Sequence, residues 1–212
     1  MEIKICGITN SEDARLAVDC GATYLGFILV PGSPRCIDLE KAAAIAAGLP
    51  DPVKTVAVVA DRSVDDLQAM IGRRVFDLLQ LHGSETAEDA IRVGLQHVWK
   101  AVSLRQPADI ETALHYPAKA LLVDTMVDGR RGGTGVVGDW HLAAELAQQR
   151  PVVLAGGLTP DNVADAVSQV RPVCVDVSSG VEASPGKKDP DAVRMFCRLA
   201  GAAGGATDAG HL

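Results

Sequence analysis

The chain is poor in aromatic rings. Phe, Tyr and Trp make up 3% of its 212 residues, and no cluster of lysine and arginine is interleaved with them. The charged, stacking stripe of a nucleic-acid binder is therefore missing, which argues against a nucleic-acid partner. No apolar run reaches the roughly 18 residues that cross a bilayer. The N-terminus lacks a cationic, then apolar, then small-residue leader, and together these absences predict a cytoplasmic protein with no membrane partner. The cysteines are Cys6, Cys20, Cys36, Cys174 and Cys197. Their number is odd and no pair has Cys-x-x-Cys spacing, which argues against a disulfide framework or a zinc knuckle. His97, His115, His141 and His211 show no metal-ligand spacing either, so no metal is expected.

What is present is an apolar fraction of 48%, enough for a real core, with 22% charged residues. The formal net charge is −7. An acidic protein that binds an anion must do so with local groups: helix N-termini, backbone amides and a few arginines. Along the chain, short apolar runs alternate with alanine- and leucine-rich segments that carry charged faces. Strands are read at Ile3–Cys6, Tyr24–Ile28, Val53–Val59, Phe76–Leu81, Val98–Ala101, Ala120–Asp124, Val152–Ala155 and Cys174–Val177. Helix starts are signalled by Ser11, Asp38, Ser63 and Thr159-Pro160, and Gly21 sits where a C-terminal cap belongs. Eight strand-then-helix units make an α/β chain with a parallel sheet, and at this length they suit a compact closed (βα)8 barrel. The competitor is an open doubly wound sheet. It would want Gly-x-Gly-x-x-Gly after the first strand, where this chain has "CGITNSED". The barrel is assigned to residues 1–200. The small, glycine-rich stretch 201–212 is read as a flexible tail.

In such a barrel the chemistry sits where strands end. Strand one ends at Cys6, on the same face as Lys4, whose positive charge would favour a thiolate. Arg35 follows in a proline-braced loop, either as a solvated surface residue or as a planar fork for a carboxylate. Strand four ends "LQLHG", with Gln80 and His82; a lone histidine here is either a structural hydrogen-bonder or a ligand contact. Strand six ends at Asp124, on the face of Leu122, a partly desolvated position that suits an acid if that face is the interior. The glycine-rich "GRRGGTG" follows it. The seventh and eighth strands end in "AGGLTP" and "SSG". Either could be a simple turn, but glycine loops at these two places are where barrels bind phosphate.

The motifs "KICGIT", "GSPR", "LQLHG", "GGTG", "LAGGLTPDNV", "DVSSGVE" and "PGKKD" occur in that order from residue 3 to about 196. Together they resemble the phosphoribosylanthranilate isomerase family of tryptophan biosynthesis. The resemblance implies a TIM barrel, a small-molecule phosphosugar substrate and an Amadori rearrangement without cofactor or metal. It implies that Cys6 is the general base, Asp124 the general acid and Arg35 the contact to the anthranilate carboxylate. Gly156 and Gly157, with Ser178, Ser179 and Gly180, would hold the phosphate. Gln80, His82 and Asp176 lie in matching motifs and are carried over as substrate contacts.

The chain departs from the family pattern around Arg35, where Leu29, Val30 and Cys36 replace frequent aromatics. It departs again at "VVGDW" and "VVADRS". These positions bear on loop shape and affinity, not on the proposed acid and base. Three alternatives stand beside this reading. A bifunctional isomerase that also serves histidine synthesis would show two similar halves and an aspartate at position 6. A lyase or transferase barrel would need a Schiff-base lysine or a magnesium-binding carboxylate cluster. A mere phosphate binder would need neither Cys6 nor Asp124. Nothing in the sequence selects between a monomer and a homodimer.

Overall fold

The computed structural model describes residues 1–125 and 140–208, with side chains described as far as residue 205. Eight parallel strands close into a ring in chain order. They are β1 (Glu2–Cys6), β2 (Tyr24–Ile28), β3 (Lys54–Val59), β4 (Leu78–Leu81), β5 (Val98–Val102), β6 (Ala120–Asp124), β7 (Val152–Ala155) and β8 (Cys174–Val177). The helices are α1 (Ser11–Asp19), α2 (Leu39–Ala46), α3 (Val64–Gly72), α4 (Ala87–Val93), α5 (Pro107–His115), α6 (Trp140–Ala147), α7 (Val163–Val170) and α8 (Pro190–Asp208). A small antiparallel hairpin, β9 (Glu182–Ser184) with β10 (Lys187–Lys188), lies between β8 and α8. Among the described residues no helix is long and apolar enough to cross a membrane.

The strands are apolar on both faces because both are covered. Outward residues such as Ile5, Phe27, Leu79, Leu121 and Val175 pack against the helices in one large cluster. Inward residues form a second cluster that fills the barrel, including Tyr24, Val56, Leu78, Trp99, Leu122, Val153 and Cys174. Burying each large aliphatic side chain stabilises the fold by roughly 1.5–3 kcal/mol. The inner cluster fixes the direction of the functional side chains. Parallel registry pairs Lys4 with Tyr24 and Cys6 with Gly26, so Lys4 and Cys6 turn inward. Period-2 alternation turns Gln80 inward with Leu78, Asp124 with Leu122, and Asp176 with Cys174.

Strands β2, β6, β7 and β8 have the boundaries read from sequence, whereas β4 starts at Leu78 rather than Phe76. Phe76 instead packs on Phe27, with ring centroids 6.0 Å apart. Asp77 accepts hydrogen bonds from the Thr55 amide (2.7 Å) and hydroxyl (2.9 Å). The cap of α1 is Asn10, not Ser11; its side chain accepts from the Asp13 amide at 2.8 Å. Helix α7 begins at Val163, not at Thr159-Pro160. Asn162 bridges the intervening turn, accepting from the Thr159 amide (2.8 Å) and donating to the Gly157 carbonyl (3.0 Å).

The boundary at residue 200 is also corrected. Helix α8 continues to Asp208, because Ala203 packs against the core and Gly204 lies buried against Met1. Residues 209–212 lie outside the described residues. A Cβ at Gly201 would meet nothing within 4 Å, and a helix interior favours alanine over glycine by about 1 kcal/mol. Gly201→Ala should therefore raise the thermal midpoint. An unchanged or lowered midpoint would place position 201 outside the stable helix.

Candidate active site

At the C-terminal ends of the strands the barrel opens into a cavity of about 350 Å³. All the residues singled out from sequence border it: Cys6, Arg35, Gln80, His82, Asp124, Gly156, Gly157, Asp176, Ser178, Ser179 and Gly180. Val30 borders it as well, whereas Leu29 is buried in the outer core and Cys36 is exposed. The "GRRGGTG" loop, at 129–135, lies outside the described residues. A larger groove of about 920 Å³ runs over the outside between α1 and the β9–β10 hairpin. Among the described residues, the buried side-chain oxygens without a hydrogen-bond partner, Asp176 Oδ1 and Ser178 Oγ, belong to the strand-end cavity instead. Such atoms call for a ligand or water.

Lys4 is fully buried beneath the cavity. Its ammonium donates to Asp176 Oδ2 at 2.9 Å and to Gln80 Oε1 at 2.8 Å. Burial pulls the Lys4 pKa down, but the Asp176 carboxylate and Cys6 outweigh it, so the balance lies above the ordinary value. A lysine only donates, so Gln80 must offer it the carbonyl oxygen. The Gln80 amide nitrogen then faces His82 Nδ1 at 3.0 Å. That nitrogen donates, so the neutral imidazole carries its proton on Nε2, which lies 3.8 Å from Asp124 Oδ2. Asp124 itself is about one-third exposed, at 31%.

Burial opposes the thiolate that the Lys4 charge favours at Cys6. Burial pushes the Cys6 thiol up; Lys4 pulls it down, Asp176 pushes it up and Lys188 pulls it down, and the balance stays above the ordinary value. The strand delivers the thiol into a water-poor barrel, and the charge of Lys4 is largely answered by Asp176.

Of the two readings of Arg35, a solvated surface residue or a planar fork, the structure shows a half-buried side chain with one edge of its fork engaged. Nε donates to both oxygens of Glu182 (2.8 and 3.0 Å) and Nη2 donates to Oε2 at 2.6 Å. Lys188, fully buried, donates to Glu182 Oε1 at 2.9 Å and to the Ser178 carbonyl at 3.2 Å. Burial pushes the Glu182 carboxyl up, yet Arg35 and Lys188 hold it below the usual range. Burial in turn pulls Lys188 down, which Glu182 only partly reverses.

The two glycine turns interlock. Gly156 and Gly157 have φ of +85° and +67°. A Cβ on Gly180 would collide with the Leu158 carbonyl oxygen, so only glycine lets the two turns meet. Among the described residues, the amides of Gly157, Leu158, Ser179 and Gly180 make no hydrogen bond to another backbone group. Convergent amides of this kind can hold an oxyanion.

Sequence reasoning missed Glu182 and Lys188 as a pair, though both stand inside the motifs "DVSSGVE" and "PGKKD". It also missed Gly26. A Cβ there would lie 2.7 Å from Cys6 Sγ and 3.0 Å from Lys4 Cε. An isolated glycine inside the apolar strand "YLGFI" was the available signal of a close approach.

A model of the N-(5'-phosphoribosyl)anthranilate isomerase family matches residues 3–198. The isomerase of Geobacter metallireducens is 43% identical over 94% of this chain and 98% of its own length. That of Chromohalobacter salexigens is 45% identical over 92% and 91%. The crystal structure of the Thermotoga maritima isomerase superposes with a TM-score of 0.89 at 40% identity, covering 95% of this chain and 99% of that one. A crystal structure of a phosphoribosylanthranilate isomerase in complex with reduced 1-(o-carboxyphenylamino)-1-deoxyribulose 5-phosphate gives 0.85 at 39% identity, with the same coverage.

Two measurements check the geometry of the thiol. The thiolate forms only above its raised pKa, so the ultraviolet thiolate signal that Cys6→Ser removes should titrate above the free value of ~8.5. Lys4→Met should move it higher still, and a midpoint at or below the free value would contradict the burial argument. Gly26→Ala should keep the fold but push Cys6 off its position, lowering turnover by roughly tenfold or more. Near-normal turnover would show that the thiol does not need this seat.

Proposed function

The chain belongs to the N-(5'-phosphoribosyl)anthranilate isomerase family, and we propose from the geometry of its cavity how the residues divide the reaction. The enzyme converts N-(5-phosphoribosyl)anthranilate to 1-(2-carboxyphenylamino)-1-deoxyribulose 5-phosphate in tryptophan biosynthesis. Carrying the proposal is one observation: Cys6 at the end of β1 and Asp124 at the end of β6 border the same 350 Å³ cavity. Around the ring these strands are three steps apart one way and five the other, so a ribose can lie between an acid and a base.

In the proposed sequence Asp124 gives a proton to the furanose ring oxygen. The C1–O bond breaks, and the nitrogen lone pair forms the iminium. Cys6, as thiolate, then takes the proton from C2. The C2–H electrons become the C1–C2 double bond as the C=N electrons return to nitrogen. The resulting enol tautomerises to the aminoketose. The iminium is the electron sink, so the chemistry asks for no metal or organic cofactor. Acid and base must together hold one proton in the right arrangement, so the pH dependence belongs to the pair. Once Asp124 has released its proton, the Nε2–H of His82 faces the carboxylate that results. The turns at Gly156-Gly157 and Ser178-Ser179-Gly180 take the phosphate through their amides, and Arg35 takes the anthranilate carboxylate. Gln80 and Asp176 border the sugar while anchoring Lys4.

Each proton-transfer group contributes about 10²–10⁴-fold. Cys6→Ser and Asp124→Asn should therefore lower kcat by that order with a much smaller change in KM. The readout is loss of anthranilate-type fluorescence from freshly made N-(5-phosphoribosyl)anthranilate, run with excess EDTA. A variant that keeps near-full turnover removes its residue from the mechanism, and an intact protein without turnover overturns the assignment of this cavity.

A further inference from the structure

Arg35, Glu182 and Lys188 form a closed group on one wall of the cavity. A guanidinium carries five N–H donors in one plane. Glu182 takes the Nε–H and one Nη2–H through three contacts of 2.6–3.0 Å. The second edge of the plane, made by Nη1 and the other Nη2–H, is the edge left for a second carboxylate. The side chain of Glu182 is 3% exposed and that of Lys188 is fully buried. Neither can swing away to water. Lys188 is fixed further by its backbone amide, which donates to Asp13 Oδ2 at 3.0 Å, and by the Ser178 carbonyl.

This arrangement answers two costs of recognising a carboxylate with a long side chain. A free arginine loses much rotamer entropy when a ligand fixes it; one already splinted by a buried carboxylate loses little. The splint alone would cancel the charge of the guanidinium and repel an incoming anion. The Lys188 ammonium, 2.9 Å from Glu182 Oε1, restores one net positive charge to the group. We propose that Glu182 and Lys188 are positioning residues that hold Arg35 with one edge of its fork free, and that this splint sets the enzyme's preference for a carboxylate-bearing aryl amine. The proposal rests on the reading of Arg35 as the anthranilate contact.

The test compares N-(5-phosphoribosyl)anthranilate with N-(5-phosphoribosyl)aniline, made from aniline and ribose 5-phosphate, following both ketose products by chromatography. Glu182→Gln keeps the shape of the side chain but turns one of its two acceptor oxygens into an NH2 donor and removes the charge, so the two-oxygen grip on Arg35 is lost. It should raise KM for the anthranilate substrate roughly tenfold, leave kcat within about threefold, and leave KM for the aniline substrate unchanged. Arg35→Lys keeps the charge and loses the fork; it should lose the carboxylate preference to a similar degree, and it decides the matter if Glu182→Gln does not fold. A Glu182→Gln enzyme that binds the anthranilate substrate as well as the parent, or loses equally on both substrates, overturns the proposal. So does an Arg35→Lys enzyme with full preference. Arg35→Met separates the two readings: if it retains the preference for the carboxylate, then Arg35 is not the anthranilate contact, whatever Glu182 does.

Discussion

The buried pair of Lys4 and Asp176 is the interaction on which the rest of the site hangs. The two residues are registry partners on β1 and β8, the strands that close the ring. Their 2.9 Å contact therefore lies on the seam of the barrel. Removing one partner of such a pair leaves an uncompensated buried charge, which costs about 3–5 kcal/mol. The same ammonium orders the cavity above it. By taking the carbonyl oxygen of Gln80, it dictates which end of that amide meets His82, and so which imidazole nitrogen faces Asp124. A chain of polar groups thus runs from β8 through β1 and β4 toward β6, with one lysine setting its direction.

That seam also frames the chemistry of the thiol. The inner face that presents Cys6 to the cavity is the face that strips it of water. Two lysines favour the anion and one carboxylate opposes it, but desolvation is the largest influence. Shielding the thiol from solvent and turning it toward the cavity are one structural act. Its basicity is bound to the buried charges around it, Lys4, Asp176 and Lys188, as well as to burial itself.

A protein with a formal charge of −7 nonetheless has to receive a phosphate and a carboxylate. Buried cations are matched by buried anions almost one to one, as in Lys4 with Asp176, Lys188 and Arg35 with Glu182, and Lys100 with Glu85. Among the described residues that border the cavity, this leaves one guanidinium edge of Arg35, with the amides of two interlocked turns beside it. Local donors act at hydrogen-bond range, where the distant surface charge is screened by salt.

The sequence by itself determined the architecture and many of the residues that border the cavity. Alternating apolar runs fixed eight strands, four of them to the residue, because a strand covered on both faces reads as a nearly continuous apolar run. Period-2 alternation fixed the faces of Lys4, Cys6, Leu122 and Asp124, since a strand offers only two. Ordered motifs at the strand ends then named the residues that border the cavity. Charge partnership was decided only by the tertiary structure. Lys4 meets Asp176 across 172 positions and Arg35 meets Glu182 across 147, distances over which no local pattern carries information. The extent of α8 past residue 200 was hidden for a related reason. Its glycines oppose a helix where its alanines favour one, and the helical segment packs beside Met1 and the core. The state of the Cys6 thiol belongs to the same class: the spacing to Lys4 is local, but the desolvation that outweighs it comes from the whole barrel.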